Sequence, residues 1–186
     1  MNNVGTVNLE TERLLLRKGT LNDAKAVYDN YGKDPMVSKY VLWNRHTSIN
    51  DAINLMKKWE ESYSDLSSYK WLVVEKESQK VIGSITAVKI DNVNKTVALG
   101  YCFGSEWWNK GYATECLKIV VKFFFEKVKI ETIYANHLID NVASGKVMKK
   151  VGMIYEGTLR NRIIDKNSGQ PMSLDTYSIT KEDYFN

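Results

Sequence analysis

The chain has 186 residues, 44% hydrophobic and 26% charged, with a formal charge of +4 from 26 basic and 22 acidic side chains. A length in this range buries a core of useful size in one domain, and so ordinary a composition excludes a low-complexity or disordered chain. Lysines are scattered rather than massed between aromatics, which disfavours nucleic acid as a partner, and no stretch approaches the roughly 20 apolar residues needed to span a bilayer.

The N-terminal segment MNNVGTVNLETERLLLRK lacks a basic region followed by an apolar stretch and a cleavage site, so the expected location is cytoplasmic. Cys102 and Cys116 are the only cysteines and His46 and His137 the only histidines. Neither a disulfide framework nor a metal site is expected from that set, and both thiols are read as buried and reduced.

In chain order, ERLLLRK (12–18) reads as a strand. Thr20 with Asp23 marks a helix start, continued by Leu21, Ala24, Val27, Tyr28 and Tyr31 until Gly32 and Pro35 stop it. A second helix begins near Ser48 and carries Ile49, Ala52, Ile53, Met56 and Tyr63 at helical spacing. Between the two lies a polar, aromatic loop with Tyr40, Trp43 and His46. Three strands follow, KWLVVEK, KVIGSITAVKI and TVALGYCF, joined by short turns at Ser78-Gln79-Lys80 and at 91–94 as an antiparallel meander. Apolar residues at 113, 116, 117, 120, 121, 124, 125 and 128 then form the stripe of a long amphipathic helix. TIYANHL (132–138) is a strand, NVASGKVMKKVG a helix closed by Gly152, and 153–180 a final hairpin turning at Lys166-Asn167-Ser168-Gly169. Strand, long helix and strand over 96–138 make one crossover, so those two strands should be parallel neighbours. The fold class is α+β in three layers, with a mixed, mostly antiparallel sheet, and residues 1–186 read as a single domain.

The junction between the third meander strand and the long helix, Trp108-Asn109-Lys110-Gly111-Tyr112-Ala113-Thr114, invites an anion. A helix start offers unpaired backbone N–H groups and the positive end of the macrodipole, and Gly111 lets a ligand approach closely. It is neither a phosphate-binding loop with Gly-Lys-Ser/Thr nor the three-glycine dinucleotide fingerprint. Lys146, Lys149 and Lys150 lie on one short helix, where they face either a phosphorylated ligand or solvent.

With LETERLLLR, LGYCFGSEWWNKGYATE, NVASGKVMKKVGM and YEGTLR in this order, the chain resembles the GNAT N-acetyltransferases, in the branch similar to ribosomal-protein N-terminal acetyltransferases (RimJ/RimL-like). The resemblance implies acetyl-CoA as cosubstrate and an amine as acceptor. The family pattern Q/R-x-x-G-x-G/A matches 108–113, with Trp108 in place of the usual Gln or Arg, and the amides of Asn109, Lys110, Gly111, Tyr112, Ala113 and Thr114 are implied to hold the pyrophosphate. The parallel strands are implied to splay apart, so that backbone at Tyr101, Cys102 and Phe103 meets the pantetheine arm and Asn141 fixes it from the next helix, while Lys146 of the lysine cluster is the candidate for the cofactor's phosphates. Asn141 serves equally as a helix cap.

Acetyl transfer to an amine needs a neutral nitrogen, a donor for the developing oxyanion and a proton for the leaving thiolate. Near pH 7.5, neutralising a lysine of pKa about 10.4 costs about 4 kcal/mol, whereas an α-amine near 7.7 to 8.0 costs well under about 1 kcal/mol. The tyrosine acid that many relatives carry is replaced here by Met148, and the glutamate many carry on the fourth strand by Ala98. In the RimJ/RimL-like branch a serine in Asn-x-x-Ser takes the acid's place, which implies Ser144 as the catalytic residue. His46, His137 and Glu156 are base candidates, and Tyr40, Trp43 and His46 are assigned to the acceptor side. Cys102 lacks an adjacent base in the sequence, and the resemblance implies direct attack rather than an acyl-enzyme. A CoA-binding module without turnover is the alternative function, and the oligomeric state is open between monomer and homodimer.

Overall fold

The computed structural model describes residues 1–166 and 168–186; Asn167, part of the expected hairpin turn, lies outside them. Among the described residues, eight strands form one sheet in the order β1-β2-β3-β4-β5-β6-β8-β7. They are β1 (Leu9–Glu10), β2 (Leu14–Arg17), β3 (Lys70–Glu75), β4 (Val81–Asp91), β5 (Thr96–Phe103), β6 (Thr132–Leu138), β7 (Ile154–Ile164) and β8 (Pro171–Thr180). All pairings are antiparallel except β5 with β6. The expected crossover is therefore present, and β8 inserts between β6 and β7.

One face of the sheet carries α1 (Ala24–Val27), α2 (Pro35–Ser38) and α3 (Ile49–Ser62). Their start signals are those read from the sequence: the Asp23 carboxylate accepts from the Thr20 N–H at 2.8 Å, and Asp51 accepts from the Ser48 N–H at 3.1 Å. Ala24, Val27, Ala52, Met56 and Trp59 pack on Leu72, Val74 and Val81. The first helix widens into a π-helical turn at Tyr28–Gly32, and Pro35 opens α2 instead of only ending what precedes it. Proline fits there because the first helical residue needs no N–H partner, and Asp34 caps the turn by accepting from Met36 N–H at 2.8 Å.

The opposite face carries α4 (Tyr112–Phe123) and α5 (Val142–Lys150). Cys116, Leu117, Val120, Val121 and Phe123 of α4 are buried against Leu14, Trp71, Val73, Ile85, Val97 and Leu99. Fully burying each large apolar side chain contributes about 1.5 to 3 kcal/mol, so this stripe dominates the helix's placement. The regular helix ends sooner than its apolar spacing suggests: Phe124–Val128 is a π-helical turn, followed by Lys129 at φ 63°. The wider turn lets three consecutive phenylalanines be buried. Phe123 and Phe124 meet Tyr69 and Trp71 edge-on, while Phe125 stacks on Tyr184 at 4.9 Å. Tyr184 belongs to α6 (Lys181–Phe185), which, like the two-residue β1, the sequence reading did not anticipate.

The feature that positions the site is the brevity of the parallel pairing. β5 and β6 pair only at Thr96↔Thr132, Val97↔Ile133 and Ala98↔Tyr134. Beyond Ala98 they part, while β5 stays paired to β4 as far as Phe103. The edge of β5 that faces away from β4 is thereby left open.

Candidate active site

At the end of β5, the turn into α4 is built for close approach to backbone. Asn109 and Gly111 both sit in the left-handed region, at φ 60° and φ 82°. Gly111 is the residue before the helix and has no side chain to cap it; the first internal bond runs from Glu115 N–H to Gly111 O at 3.1 Å. The amides of Tyr112, Ala113 and Thr114 precede that bond and point out of the helix end, with the positive end of its dipole. The turn is braced from β2. Arg13 donates to Lys110 O at 3.0 Å, pairs with Glu115 at 2.6 Å and lies over the Tyr112 ring at 4.5 Å. The Trp108 indole N–H donates to Phe103 O at 2.7 Å, so that carbonyl is already engaged. Of the strand-end residues Tyr101, Cys102 and Phe103, the last contributes mainly a buried ring.

Where β5 and β6 diverge there is a cleft of about 590 Å³, within the usual range of small-molecule sites. Tyr101, Cys102, Asn141, Ser144 and Met148 all line it. Asn141 caps α5, its side-chain oxygen accepting from Ser144 N–H at 3.3 Å. That cap sets the Ser144 hydroxyl 2.8 Å from the Tyr101 hydroxyl, which also donates to Ser144 O at 3.3 Å. Burial raises the Tyr101 pKa well above its ordinary value, so the phenol keeps its proton at neutral pH. Lys146 is exposed on α5 with no recorded bond among the described residues.

Cys102 is half-buried, where two buried thiols were expected; only Cys116 is fully buried. The reason is its place on the open stretch of β5, facing the cleft. Its sulfur lies 3.4 Å from the Ser84 hydroxyl, and burial pushes the thiol up to about 11. A thiol held that far above neutrality is a poor nucleophile.

The cleft continues to the other face of the sheet, where Tyr40, Trp43 and His46 border it. Tyr40 meets Trp108 at 6.4 Å between ring centroids, and Trp43 meets His46 at 5.4 Å. Lys166, from the tip of the β7–β8 hairpin, donates to the carbonyls of Ser38, Val41 and Trp43 and so ties this loop down. Sequence reasoning missed Lys166 because nothing local links it to a loop more than 120 positions away. The His46 backbone N–H donates to Gly32 O at 2.9 Å, the ring lies where a side chain at Gly32 would be, and its Nδ1 is buried without a partner among the described residues. Burial lowers the His46 pKa, partly opposed by Asp51, so the ring is neutral at pH 7.

Comparison with known proteins decides the family. The acetyltransferase (GNAT) domain model matches residues 13–154. This chain is a GNAT acetyltransferase. It is 30% identical over 173 residues to the uncharacterized N-acetyltransferase YoaA of Bacillus subtilis (strain 168), covering 93% of this chain and 96% of that one. It is 23% identical over 173 residues to the [ribosomal protein uS5]-alanine N-acetyltransferase of Escherichia coli (strain K12), covering 87% and 86% of the two chains. The crystal structure of a GNAT-family acetyltransferase from Bacillus anthracis superposes with a TM-score of 0.82 at 27% identity, covering 95% of this chain and 99% of that one. An α+β GNAT fold, acetyl-CoA as acetyl donor and an amine as acceptor follow from membership. Among the described residues, no helix is long and apolar enough to cross a membrane.

The residues present fit that cosubstrate: uncapped helix amides at a left-handed glycine, next to a strand edge with open hydrogen-bonding groups. Met148 is fully buried at the cleft wall and Ala98 sits at the last β5–β6 pair, and neither carries an acid or a base. The base candidates are placed unequally. Glu156 is on β7, bonded to the Ser178 hydroxyl and outside the cleft. His137 lines the cleft and stacks on Tyr177 at 5.6 Å. Its Nδ1 lies 2.7 Å from Leu138 O, a pure acceptor, so Nδ1 carries a hydrogen and donates it. Its Nε2 is buried, without a partner among the described residues, and turned toward Gly145 of α5.

Proposed function

We propose that the whole chain acts as one catalytic domain that acetylates the α-amine of a peptide or protein N-terminus by direct attack on the thioester of acetyl-CoA. The observation that carries this reading is the Ser144–Tyr101 hydroxyl pair, set where β5 and β6 part. Amides at 109–114 hold the diphosphate and the open edge of β5 holds the pantetheine arm, with Asn141 and Lys146 flanking it from α5. Bound acetyl-CoA supplies the activated acetyl group.

The acceptor nitrogen attacks the carbonyl carbon, the C–S bond breaks, and the acetyl group ends on nitrogen. Ser144 donates its proton to the departing sulfur. Tyr101, keeping its own proton, orients that hydroxyl by hydrogen bonding, and solvent restores the proton that Ser144 gives up. His46, neutral and facing the cleft, takes the proton that the nitrogen loses. A neutral histidine is a weak base, and it is sufficient for an α-amine near pKa 7.7 to 8.0 but not for a lysine near about 10.4. The uS5-alanine acetyltransferase among the relatives, by its name an enzyme of protein α-amines, supports the same acceptor class. The test is thiol release from acetyl-CoA over a panel of N-terminal peptides, lysine-containing peptides and small amines. Turnover is expected with free α-amines. Stabilisation by acetyl-CoA with no acceleration by any amine would instead mean a binding module without turnover.

A further inference from the structure

The acceptor side of the cleft has an unbalanced charge. Among the described residues no aspartate or glutamate lines it, and its one formal cation is Lys70. The rest of that side is apolar and aromatic, including Leu55 and Trp59 of α3. Lys70 begins β3 and is registered against Thr86 of β4, which is registered against Gly100 of β5. These three residues form one cross-strand row on the face under α3. The row leads from the gap beside β5 straight to the ammonium.

Lys70 is not neutralised where it stands. Its Nζ donates to the Ser62 hydroxyl at 2.8 Å, a neutral partner. The acid that acts on it, Asp65, is exposed and spends its carboxylate on the Ser67 N–H and hydroxyl. A site with a half-buried ammonium and, among the described residues, no carboxylate in its lining is complementary to an anion and hostile to a second cation.

We propose that this surface selects acceptor peptides carrying an acidic side chain near residue three, with Lys70 as the specificity-determining residue. Neighbouring strands are about 4.8 Å apart, so two strand spacings put the Lys70 backbone roughly 10 Å from Gly100. An extended peptide advances about 3.3 Å per residue, which brings the third side chain from a reacting α-amine into reach of the lysine. Polyamines and peptides with basic second or third residues are disfavoured by the same field. The inference rests on the N-terminal acceptor reading above and adds sequence preference to it.

The experiment compares kcat/KM for peptides identical except for Glu, Gln or Lys at residue three, with a matching series varied at residue two. Wild-type enzyme is expected to prefer Glu over Gln at residue three by about fivefold and to disfavour Lys by a similar factor, as for a partly exposed ion pair. Lys70→Arg keeps the order, Lys70→Met flattens it, and Lys70→Glu reverses it, with thermal unfolding confirming that each variant is folded. Retention of one order across all four proteins, or no discrimination by wild type despite turnover, overturns the proposal and leaves the acceptor class standing. No turnover with any peptide overturns both.

Discussion

The turn at 109–114 follows the end of β5 and the loop at 40–46 borders the cleft, and the two are held in place by opposite means. Short-range geometry makes the turn: a left-handed Gly111, the start of an amphipathic helix, and one bracing arginine from β2. Long-range contacts make the loop: Lys166 on three of its carbonyls, His46 wedged at Gly32, and Tyr40 against Trp108. A rigid helix end suits a cosubstrate typical of GNAT enzymes, while a loop tied by distant side chains can be reshaped for an acceptor without disturbing it.

That contrast implies separable defects. The largest is expected between the two regions, at the chemistry itself: Ser144→Ala should lower kcat by about 100-fold, typical of a lost proton donor, with acetyl-CoA affinity nearly unchanged. Pre-steady-state thiol release together with calorimetry checks both halves, and unchanged turnover would remove Ser144 from its role. Next comes Gly111→Val. A β-branched residue at φ 82° is strained by about 2 kcal/mol and crowds the approach to the amides, so acetyl-CoA should bind about 30-fold more weakly. Acceptor KM, extrapolated to saturating acetyl-CoA, should stay within about twofold if the two regions are independent.

Lys166→Met reverses the pattern. Releasing the carbonyls of Ser38, Val41 and Trp43 should raise acceptor KM about fivefold while acetyl-CoA binds as before. A weakened acetyl-CoA affinity in that variant would show that loop and turn are not separate. The smallest effect concerns pH. Burial holds the folded His46 pKa below its ordinary 6.5, so on acidification the unfolded chain takes up the proton first. The corresponding stability is fully present above 6.5 and is lost as pH falls through the folded pKa. The same titration should steepen the acid fall of kcat/KM below 6.5 beyond the single-proton fall set by the acceptor amine, and His46→Gln should lower the plateau and leave only the amine's fall.

How much of this was legible in the sequence follows the same division. The apolar stripe at 113–128 and the glycine before it are local signals, so α4, its exposed amides and the parallel crossover could be read directly. The Asn141-x-x-Ser144 spacing placed the serine on the first turn of α5 for the same reason. Lys166, the Tyr101–Ser144 hydroxyl pair and the inserted position of β8 depend on residues far apart in the chain, and no periodicity encodes them. Cys102 was read as buried because its strand is apolar; only the parting of β6 beyond Ala98 turns that position toward a cleft. The π-helical end of α4 was hidden because three adjacent phenylalanines fit an ordinary helical stripe almost as well.

The central claim is that main-chain amides at the start of α4 grip the diphosphate of the acetyl donor. The most direct measurement is amide nitrogen and proton NMR of the labelled protein titrated with acetyl-CoA, beside a control titration with S-acetylpantetheine, which lacks the diphosphate. The account predicts large, saturable shifts at Gly111, Tyr112, Ala113 and Thr114 with acetyl-CoA and little change there with the control. Saturable binding of acetyl-CoA that leaves those four amides unmoved would contradict it.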